Sequence, residues 1–359
     1  MIPYFLLVAL PLLAHFISPQ YRLVMKGKRL CETRTLPLDA FMLGFMLMLA
    51  FRGTDCGSDT IQYLRLFRQY SRLSMEGIFQ KYDHELGYKL LNKLIYVLGG
   101  DYQVLLGITA IVCVWPLWHF YRRETDDQLL TIALFLYVAP FVMYFSGIRQ
   151  SIAMSLGILA WYAARKRKLI RFLLIVFLAI QFHNSAFMLL CLYPLYRVKI
   201  TRKWLWAVVP CILAIFAFRK VIFTYLLSLL WDEFGSISTT GATSVLLLLI
   251  LFSVYSYMVP DESKMDSDML AMRNILLLSA VLQIFAMLHP LSMRMNYYFL
   301  IFVPALIPKV AGASKNKYKQ ITKLSTIVMT VYFMYAFINN VLRDNDVLNI
   351  FPYIPFWAN

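Results

Sequence analysis

Apolar stretches long enough to enter or cross a lipid bilayer recur along almost the whole chain. Of its 359 residues, 60% are hydrophobic and only 15% are charged. This balance indicates a polytopic membrane protein and not a soluble domain. The predicted spans cover residues 2–18, 36–51, 101–121, 129–146, 149–164, 168–182, 184–197, 203–218, 243–259, 269–288, 295–310 and 322–340.

The expected fold is therefore all-α, with roughly 12 membrane-spanning or re-entrant helices in a single polytopic domain over residues 1–359. Several stretches are shorter than the ~20 residues that a straight crossing needs, and those within 168–197 are compatible with a re-entrant pair. The run at 2–18 has no basic leader and no small-residue cleavage site, so it is interpreted as a retained helix.

The formal net charge of +16 does not indicate a nucleic-acid partner, because of how the charge is distributed. Basic residues cluster in alternate loops, at 22–34, 122–123, 165–171, 197–203, 264 and 309–323. Basic loops stay in the cytoplasm, and the clusters also suit lipid headgroups. The predicted topology has both termini outside and an even number of crossings. The five cysteines show neither metal-ligand spacing nor a disulfide framework.

Three segments on the predicted outer face are longer than simple turns, namely 52–100, 219–242 and the C-terminal tail. Residues 52–100 carry apolar side chains at helical spacing, first at Ile61, Leu64 and Phe67 and again within 86–97. Such spacing is typical of helices that lie at the membrane interface. The C-terminal tail from Arg343 is rich in aromatics and proline, which predicts an interfacial anchor.

Arg149 stands out among the basic residues because it lies between two long apolar stretches without a basic cluster around it. An arginine at membrane depth costs roughly 2.5–3.5 kcal/mol on insertion scales, so it usually faces a partner or an aqueous cavity. Other polar groups share its predicted side and depth, in Arg52–Asp59, Glu85–Tyr88, Phe182–Ala186 and His289–Tyr297. Polar groups from separate helices at one depth predict a lined cavity.

The order of these motifs resembles the EpsG family. The stretches that carry the resemblance are GSDTIQYLRLF, ELGYKLLNKLI and FSGIRQSIAMSLGILAWYAARKRKLIRFLLIVFLAIQFHNSAFMLL, within about 55–196, with a weaker similarity at SMRMNYYFLIFVPALIP. The family comprises polytopic proteins of bacterial exopolysaccharide and O-antigen clusters, regarded as Wzy-type polymerases.

The resemblance implies a glycosyltransferase-C-like body in the bacterial cytoplasmic membrane with a site that faces the exterior. It implies a substrate, an oligosaccharide repeat linked through pyrophosphate to undecaprenol, and glycosyl transfer onto the next repeat. It also implies other polysaccharide-assembly proteins as partners, including a chain-length regulator. It implies no cofactor and no metal.

The residues can be assigned candidate roles in that chemistry. Arginine binds phosphate bidentately and stays charged, and it could stabilise a pyrophosphate leaving group without a metal. The predicted pyrophosphate and sugar ligands are Arg149, Arg294, Arg52, Gln150, Tyr63, Tyr88 and Tyr297, the tyrosines by stacking on sugar rings. The acceptor hydroxyl needs a base. Its candidates are Asp59, His183, Asp55 and Glu85.

Structural roles compete with these assignments. Arg149 could form an ion pair with Asp55, Asp59 or Glu85. Asp59 could cap the helix that follows it. His183 could pack beside a helix capped by Asn184 or Ser185, and that helix N-terminus would also attract an anion.

Two other functions use similar residues. A transporter or flippase of lipid-linked glycans also needs cationic groups in a cavity, but it should place polar groups at mid-membrane, beside broken helices. Here the polar groups gather at one end of the spans, which favours a fixed outer site. An O-antigen ligase would use a similar outer cavity.

Overall fold

The chain folds into a helical bundle. The computed structural model describes residues 1–17, 22–26, 29–33, 35–81, 84–138, 140–230, 242–343 and 348–358. In chain order its α-helices are α1 Ile2–Ile17, α2 Leu36–Phe51, α3 Thr60–Arg72, α4 Met75–Gln80, α5 Leu86–Val97, α6 Tyr102–Glu124, α7 Gln128–Tyr137, α8 Phe141–Ser146, α9 Ile148–Arg165, α10 Leu169–Ile180, α11 Leu192–Leu195, α12 Leu205–Ala217, α13 Arg219–Leu230, α14 Thr243–Met258, α15 Ser267–Ala286, α16 Pro290–Leu300, α17 Val303–Gly312 and α18 Lys319–Leu342. Short 3-10 helices lie at Asn184–Cys191, Arg202–Trp204, Glu262–Lys264, Asn316–Tyr318 and Phe356–Ala358.

One small element departs from the predicted all-α fold. Between α1 and α2 the chain forms an antiparallel hairpin, β1 Arg22–Lys26 with β2 Arg29–Thr33, in which Arg22 pairs with Thr33. In the sequence a two-residue connection that begins with a glycine separates the strands, which is a favoured hairpin length. A search for long apolar stretches does not detect so short an element.

All twelve predicted stretches coincide with helical structure. Over the described residues, three helices are long and apolar enough to cross a membrane, namely α6, α15 and the helical run that includes α18. The count rises to five if two bent pairs, α12 with α13 and α16 with α17, each form one span. Six further apolar helices have 10–17 residues. The structure is thus that of a helical membrane protein, and the figure of twelve crossings stays a prediction.

The bundle centres on α9, which buries side chains around most of its circumference and packs against α6, α8 and α10. Peripheral helices instead expose large apolar side chains. No side chain of α12 is buried, and Phe177 of α10 is 63% exposed. Such surfaces suit contact with lipid tails.

The helices predicted within 52–100 are α3 and α5, joined by the short α4. α3 buries Tyr63, Phe67 and Tyr70 while its arginines remain exposed. The segment therefore covers one end of the bundle with an amphipathic layer.

The C-terminal tail is part of the core at that same end, which corrects its interpretation as an anchor only. Ile350 is fully buried. The backbone N–H of Ser58 donates to the carbonyl of Leu348 at 2.7 Å, and that of Gly53 donates to the carbonyl of Ile354 at 2.7 Å. These bonds hold the turn after α2 against the tail. Beyond them, Trp357 is 67% exposed and retains the aromatic character expected of an interface.

Four charged residues form a buried network at the opposite end of the bundle. Glu124 contacts both Lys309 and Arg165, the latter at 3.0 Å, and Arg165 also lies 2.9 Å from Asp268. The exposed fraction of the Lys309 side chain is 2% and that of Glu124 is 3%. Lys309 and Arg165 were counted among the topology signals of the sequence, but here they join α6, α9, α15 and α17 through ion pairs.

Candidate functional site

A cavity of about 710 Å³ opens at the end of the bundle that α3–α5 and the tail cover. Four segments contribute most of its lining, namely the start of α5, the start of α9, the turn after α10 and the first half of α16. Among its described lining residues are four of the predicted site residues, Glu85, Arg149, His183 and Arg294. The cavity is cationic, because Lys81, Lys89 and the two arginines face a single described carboxylate.

Arg149 pairs with Glu85 at the centre of this cavity. One guanidinium N–H of Arg149 donates to Oε2 of Glu85. The other carboxylate oxygen, Oε1, accepts the backbone N–H of Asn184 at 3.0 Å and lies 3.4 Å from Nδ1 of His183. Both oxygens are therefore engaged, and the carboxylate fixes the position of the guanidinium. Of the alternatives open for an Arg149 ion pair, the structure selects Glu85.

The surroundings of Glu85 alter its basicity. Burial raises the pKa of Glu85, but the adjacent His183 ring, the charge of Arg149 and the amide of Asn184 together outweigh burial and lower the pKa to about 2. At neutral pH the group is a carboxylate with little tendency to accept a proton. Its geometry and basicity thus suit a residue that positions Arg149 better than they suit the catalytic base.

The lowered pKa predicts how Glu85→Gln changes stability with pH. A depressed pKa contributes stability that is complete above the ordinary value of about 4.5 and is lost as pH falls toward about 2. We expect the wild-type protein to unfold at a higher temperature than Glu85→Gln at pH 7, with the difference shrinking between pH 4.5 and pH 3. Thermal unfolding in detergent at the three pH values measures this. A difference that grows as the pH falls would contradict the assignment.

Gly87 permits the close approach that brings Glu85 to the turn after α10. A Cβ at this position would lie 2.7 Å from the backbone carbonyl oxygen of Gln181, a contact that real Cβ atoms essentially never show. Because backbone is in the way, α5 would have to move from the turn that carries His183 and Asn184.

We therefore expect Gly87→Ala to separate Glu85 from the amide of Asn184 and to destabilise the protein by about 1–3 kcal/mol, the typical cost of overpacking against groups that cannot rotate away. Thermal unfolding in detergent and membrane abundance, measured together, check this. The matched control is Gly107→Ala in α6, where a Cβ meets no atom within 4 Å. Equal stability of the two variants would contradict the close-approach role.

Gln150 and Tyr63 support the arginines without lining the cavity. Gln150 is 1% exposed, and its amide donates to the backbone carbonyl of Arg294 at 2.5 Å, which ties α9 to α16. Tyr63 is buried beside the Arg149 guanidinium, and burial raises the pKa of its hydroxyl. Arg294 itself is exposed and makes no ion pair with a described carboxylate.

Other predicted site residues lie elsewhere. Tyr88 is fully buried and packs edge-on against Tyr63, with ring centroids 5.6 Å apart, so sugar stacking by Tyr88 is wrong for this structure. Tyr63, 5% exposed, offers no open ring face either. Tyr297 is partly buried against the core. Arg52 lines a second, separate cavity.

The two aspartates also lie outside the set that lines the cavity. Asp55 is exposed in the turn before α3. Asp59 occupies the predicted N-cap position of α3, but its side chain forms no capping hydrogen bond. Its carboxylate instead accepts the hydroxyl of Ser58 at 3.2 Å. His183 is thus the candidate base that the cavity contains in addition to Glu85.

Sequence reasoning missed three basic or titratable residues of this cavity, His84, Lys81 and Lys89. Nδ1 of His84 lies 2.6 Å from the hydroxyl of Tyr70, and Lys89 is buried, donating to the carbonyl of Ile78 at 2.8 Å. Their only sequence signal is proximity to Glu85. Around His183, Ser185 contacts the hydroxyl of Tyr298 at 3.1 Å, and His183 itself takes the N-cap position that Asn184 or Ser185 was expected to fill.

The apolar helical bundle, with a cationic cavity at one end, defines the class of this protein as a helical membrane protein. The family model described as "EpsG family" matches residues 38–354, nearly the whole chain. The protein therefore belongs to the EpsG family, whose membership indicates a membrane protein of the polysaccharide-polymerase type. No curated protein and no solved structure gave a significant match. The matched range extends the resemblance seen at 55–196 through α18 and into the tail.

Proposed function

We propose that the protein joins undecaprenyl-pyrophosphate-linked oligosaccharide repeats into O-antigen or exopolysaccharide by glycosyl transfer at the outer face of the cytoplasmic membrane. The observation that carries this proposal is a guanidinium, Arg149, oriented by a carboxylate inside a cationic cavity. Such a preorganised cation suits a diphosphate whose charge grows during the reaction. Family membership supports the same class of chemistry.

The reaction exchanges one bond for another. The bond between the anomeric carbon of the growing chain and the oxygen of its lipid diphosphate breaks, and the diphosphate leaves with the electron pair. A bond forms between that carbon and a hydroxyl oxygen of the incoming repeat, whose proton passes to a base. Arg149 and Arg294 hold the diphosphate in this scheme, Glu85 positions Arg149, and Gln150 fixes the two helices that carry the arginines.

His183 is the base in this proposal. Its Nδ1 faces Glu85 at 3.4 Å, so a proton on Nδ1 would leave Nε2 as an acceptor. A carboxylate that holds an imidazole by a hydrogen bond is a recurrent arrangement in catalysis. Nδ1 of His183 makes no hydrogen bond to the residues that the structure describes, so the 3.4 Å contact with Glu85 would have to shorten in the substrate complex to form one. Asp59 and Asp55, the other carboxylates predicted as candidate bases, lie outside the residues that line this cavity.

The charges of α6 and α9 favour a fixed site over transport, although α15 carries the buried Arg273 and α16 with α17 forms a bent pair. Within the described helices, α6 has no charged side chain between Tyr102 and Tyr121, and α9 has none between Gln150 and Ala164. A flippase would be expected to expose cationic groups at mid-membrane. The partners of the proposed polymerase are the lipid-linked oligosaccharide, the bilayer and a chain-length regulator.

Glycan length profiling in a deletion strain tests the proposal. Loss of a polymerase leaves surface glycan of a single repeat, and plasmid-borne wild-type protein restores the long ladder. Complete loss of surface glycan would instead indicate a flippase. Long glycan that stays on its lipid carrier and is not transferred to its final anchor would indicate a ligase.

A further inference from the structure

A second cavity, of about 400 Å³, lies at the same end of the bundle and shares no lining residue with the Arg149 cavity. It forms where α2 ends just before Arg52 and α6 begins after Asp101, with α3 over it and Phe356 of the tail at its side. It is a built site. The hydroxyl of Tyr102 donates to the carbonyl of Thr60 at 3.0 Å, which joins α6 to α3. The tail in turn pairs with Arg52 through a backbone bridge at Pro355.

Arg52 in this cavity is a buried cation without an anion. Its exposed fraction is 2%, and one guanidinium N–H donates to the carbonyl of Leu49 at 2.8 Å. Over the part of the chain that the structure describes, Nε has no hydrogen-bond acceptor and no carboxylate forms an ion pair with the guanidinium. An unpaired buried charge is costly. The C-terminal carbonyls of α2 compensate the charge of Arg52 in part, and an anionic ligand in the cavity would complete that compensation.

The remaining charges of the cavity leave it open to an anion. Arg68 of α3 is exposed at its rim and adds a second cation. Asp101 is the described acid of the lining, and its carboxylate accepts the backbone N–H of Val104 at 2.9 Å as the N-cap of α6. Part of its charge is therefore compensated by the helix end.

The surface that leads away from the cavity is apolar. On α2, Leu43, Leu47 and Phe51 are 41–45% exposed at intervals of four residues, so they form one lipid-facing stripe that ends beside Arg52. On α6, Ile111 and Trp115 are 53% and 63% exposed. An anionic headgroup on a long hydrocarbon chain complements a cationic cavity at the top of two such helices.

We propose that the Arg52 cavity is a second lipid-phosphate subsite, which holds the diphosphate of the acceptor lipid while Arg149 holds that of the donor. This assignment rests on the proposed function, since joining two lipid-linked repeats requires both carriers on one protein. Arg52 then contacts the diphosphate that does not react. The two subsites lie at the same end of the bundle, and α3 lies between them. Its Arg68 lines the Arg52 cavity, and its buried Tyr63 lies beside Arg149.

Binding stoichiometry tests the second subsite. Native mass spectrometry of the purified full-length protein in detergent, titrated with undecaprenyl pyrophosphate, should show two bound copies for wild type. Arg52→Gln and Arg149→Gln should each retain one, and the double variant none. Arg68→Gln replaces an exposed residue and should leave the fold intact. It should weaken the affinity of the Arg52-dependent lipid copy by about three- to tenfold. The matched control is Arg65→Gln, an exposed arginine of the same helix outside the cavity, which should bind as wild type does.

The outcomes separate this inference from the proposed function. Two bound lipid copies on Arg52→Gln would overturn the second subsite and leave the Arg149 site intact. If Arg52→Gln does not fold, unchanged lipid affinity in Arg68→Gln would have the same meaning. Two copies on Arg149→Gln with one on Arg52→Gln would instead remove the donor role of Arg149 and keep the subsite. Displacement of the Arg52-dependent copy by phosphatidylglycerol at equal concentration would show a bulk-lipid headgroup site and overturn the acceptor assignment.

Discussion

Arg149→Ala and Arg149→Lys are both expected to abolish polymerisation while the protein remains in the membrane at normal abundance. Removal of one preorganised donor to a developing negative charge costs about 100- to 1000-fold in rate. Lysine keeps the charge but not the planar fork that contacts Glu85 and a phosphate together. Glycan ladders from a deletion strain that carries each variant measure chain length, and quantitative blotting of membranes measures abundance.

The control for Arg149 is Arg72→Ala, which removes an exposed arginine from the last turn of α3 and should leave the ladder unchanged. Long glycan ladders from the Arg149→Ala strain would remove the central role of this residue. If the Arg149→Ala protein is lost from the membrane, its missing ladder does not separate a folding role from a binding role. Arg149→Lys, which keeps the charge, then decides between the two roles.

Lys309→Met is expected to destabilise the protein by about 1–3 kcal/mol, the typical cost of removing one hydrogen-bonding partner from a buried polar group. The charge left behind is Glu124, whose side chain is 3% exposed. Arg165 at 3.0 Å and Arg123 at 3.6 Å still face Glu124. They compensate only in part, because Arg165 also serves Asp268 at 2.9 Å and the Arg123 side chain is 55% exposed. The measurement is the fraction of monodisperse protein recovered after heating in detergent, compared with wild type.

The double variant Lys309→Met with Glu124→Leu should recover much of this loss, because it removes both charges of the pair. Lys317→Met is the control. It lies in the exposed connection before α18, where the lysine ammonium contacts the ring of Tyr318, so the substitution should change stability by less than about 1 kcal/mol. If Lys309→Met behaved like Lys317→Met, the network would not hold this end of the bundle together.

Much of the fold could be predicted because long apolar runs specify helices directly. The predicted span at 36–51 is α2, residue for residue. The span at 149–164 is one residue shorter than α9 at each end, and the span at 243–259 is one residue longer than α14 at its C-terminal end. The hairpin formed by β1 and β2 was missed because it is too short to leave an apolar signal.

The candidate site could be predicted in so far as the sequence predicts which helix ends lie on the same side of the membrane. Alternation of spans places Glu85, Arg149, His183 and Arg294 at one side of the bundle, and the structure brings all four to one cavity. The pairing of Arg149 with Glu85, 64 residues away in the chain, was one of three options that the sequence left open.

The sequence by itself determined the class of protein, the positions of its helices and the end at which the polar groups lie. Only the tertiary structure decided which helices are neighbours, and with that the separation of Arg52 from Arg149, the burial of Tyr88 and the ion pair of Glu124 with Lys309. The physical reason lies in the bilayer. Lipid-facing and core-facing side chains are both apolar in a membrane protein, so the pattern that marks a helix carries little information about which partner it packs against.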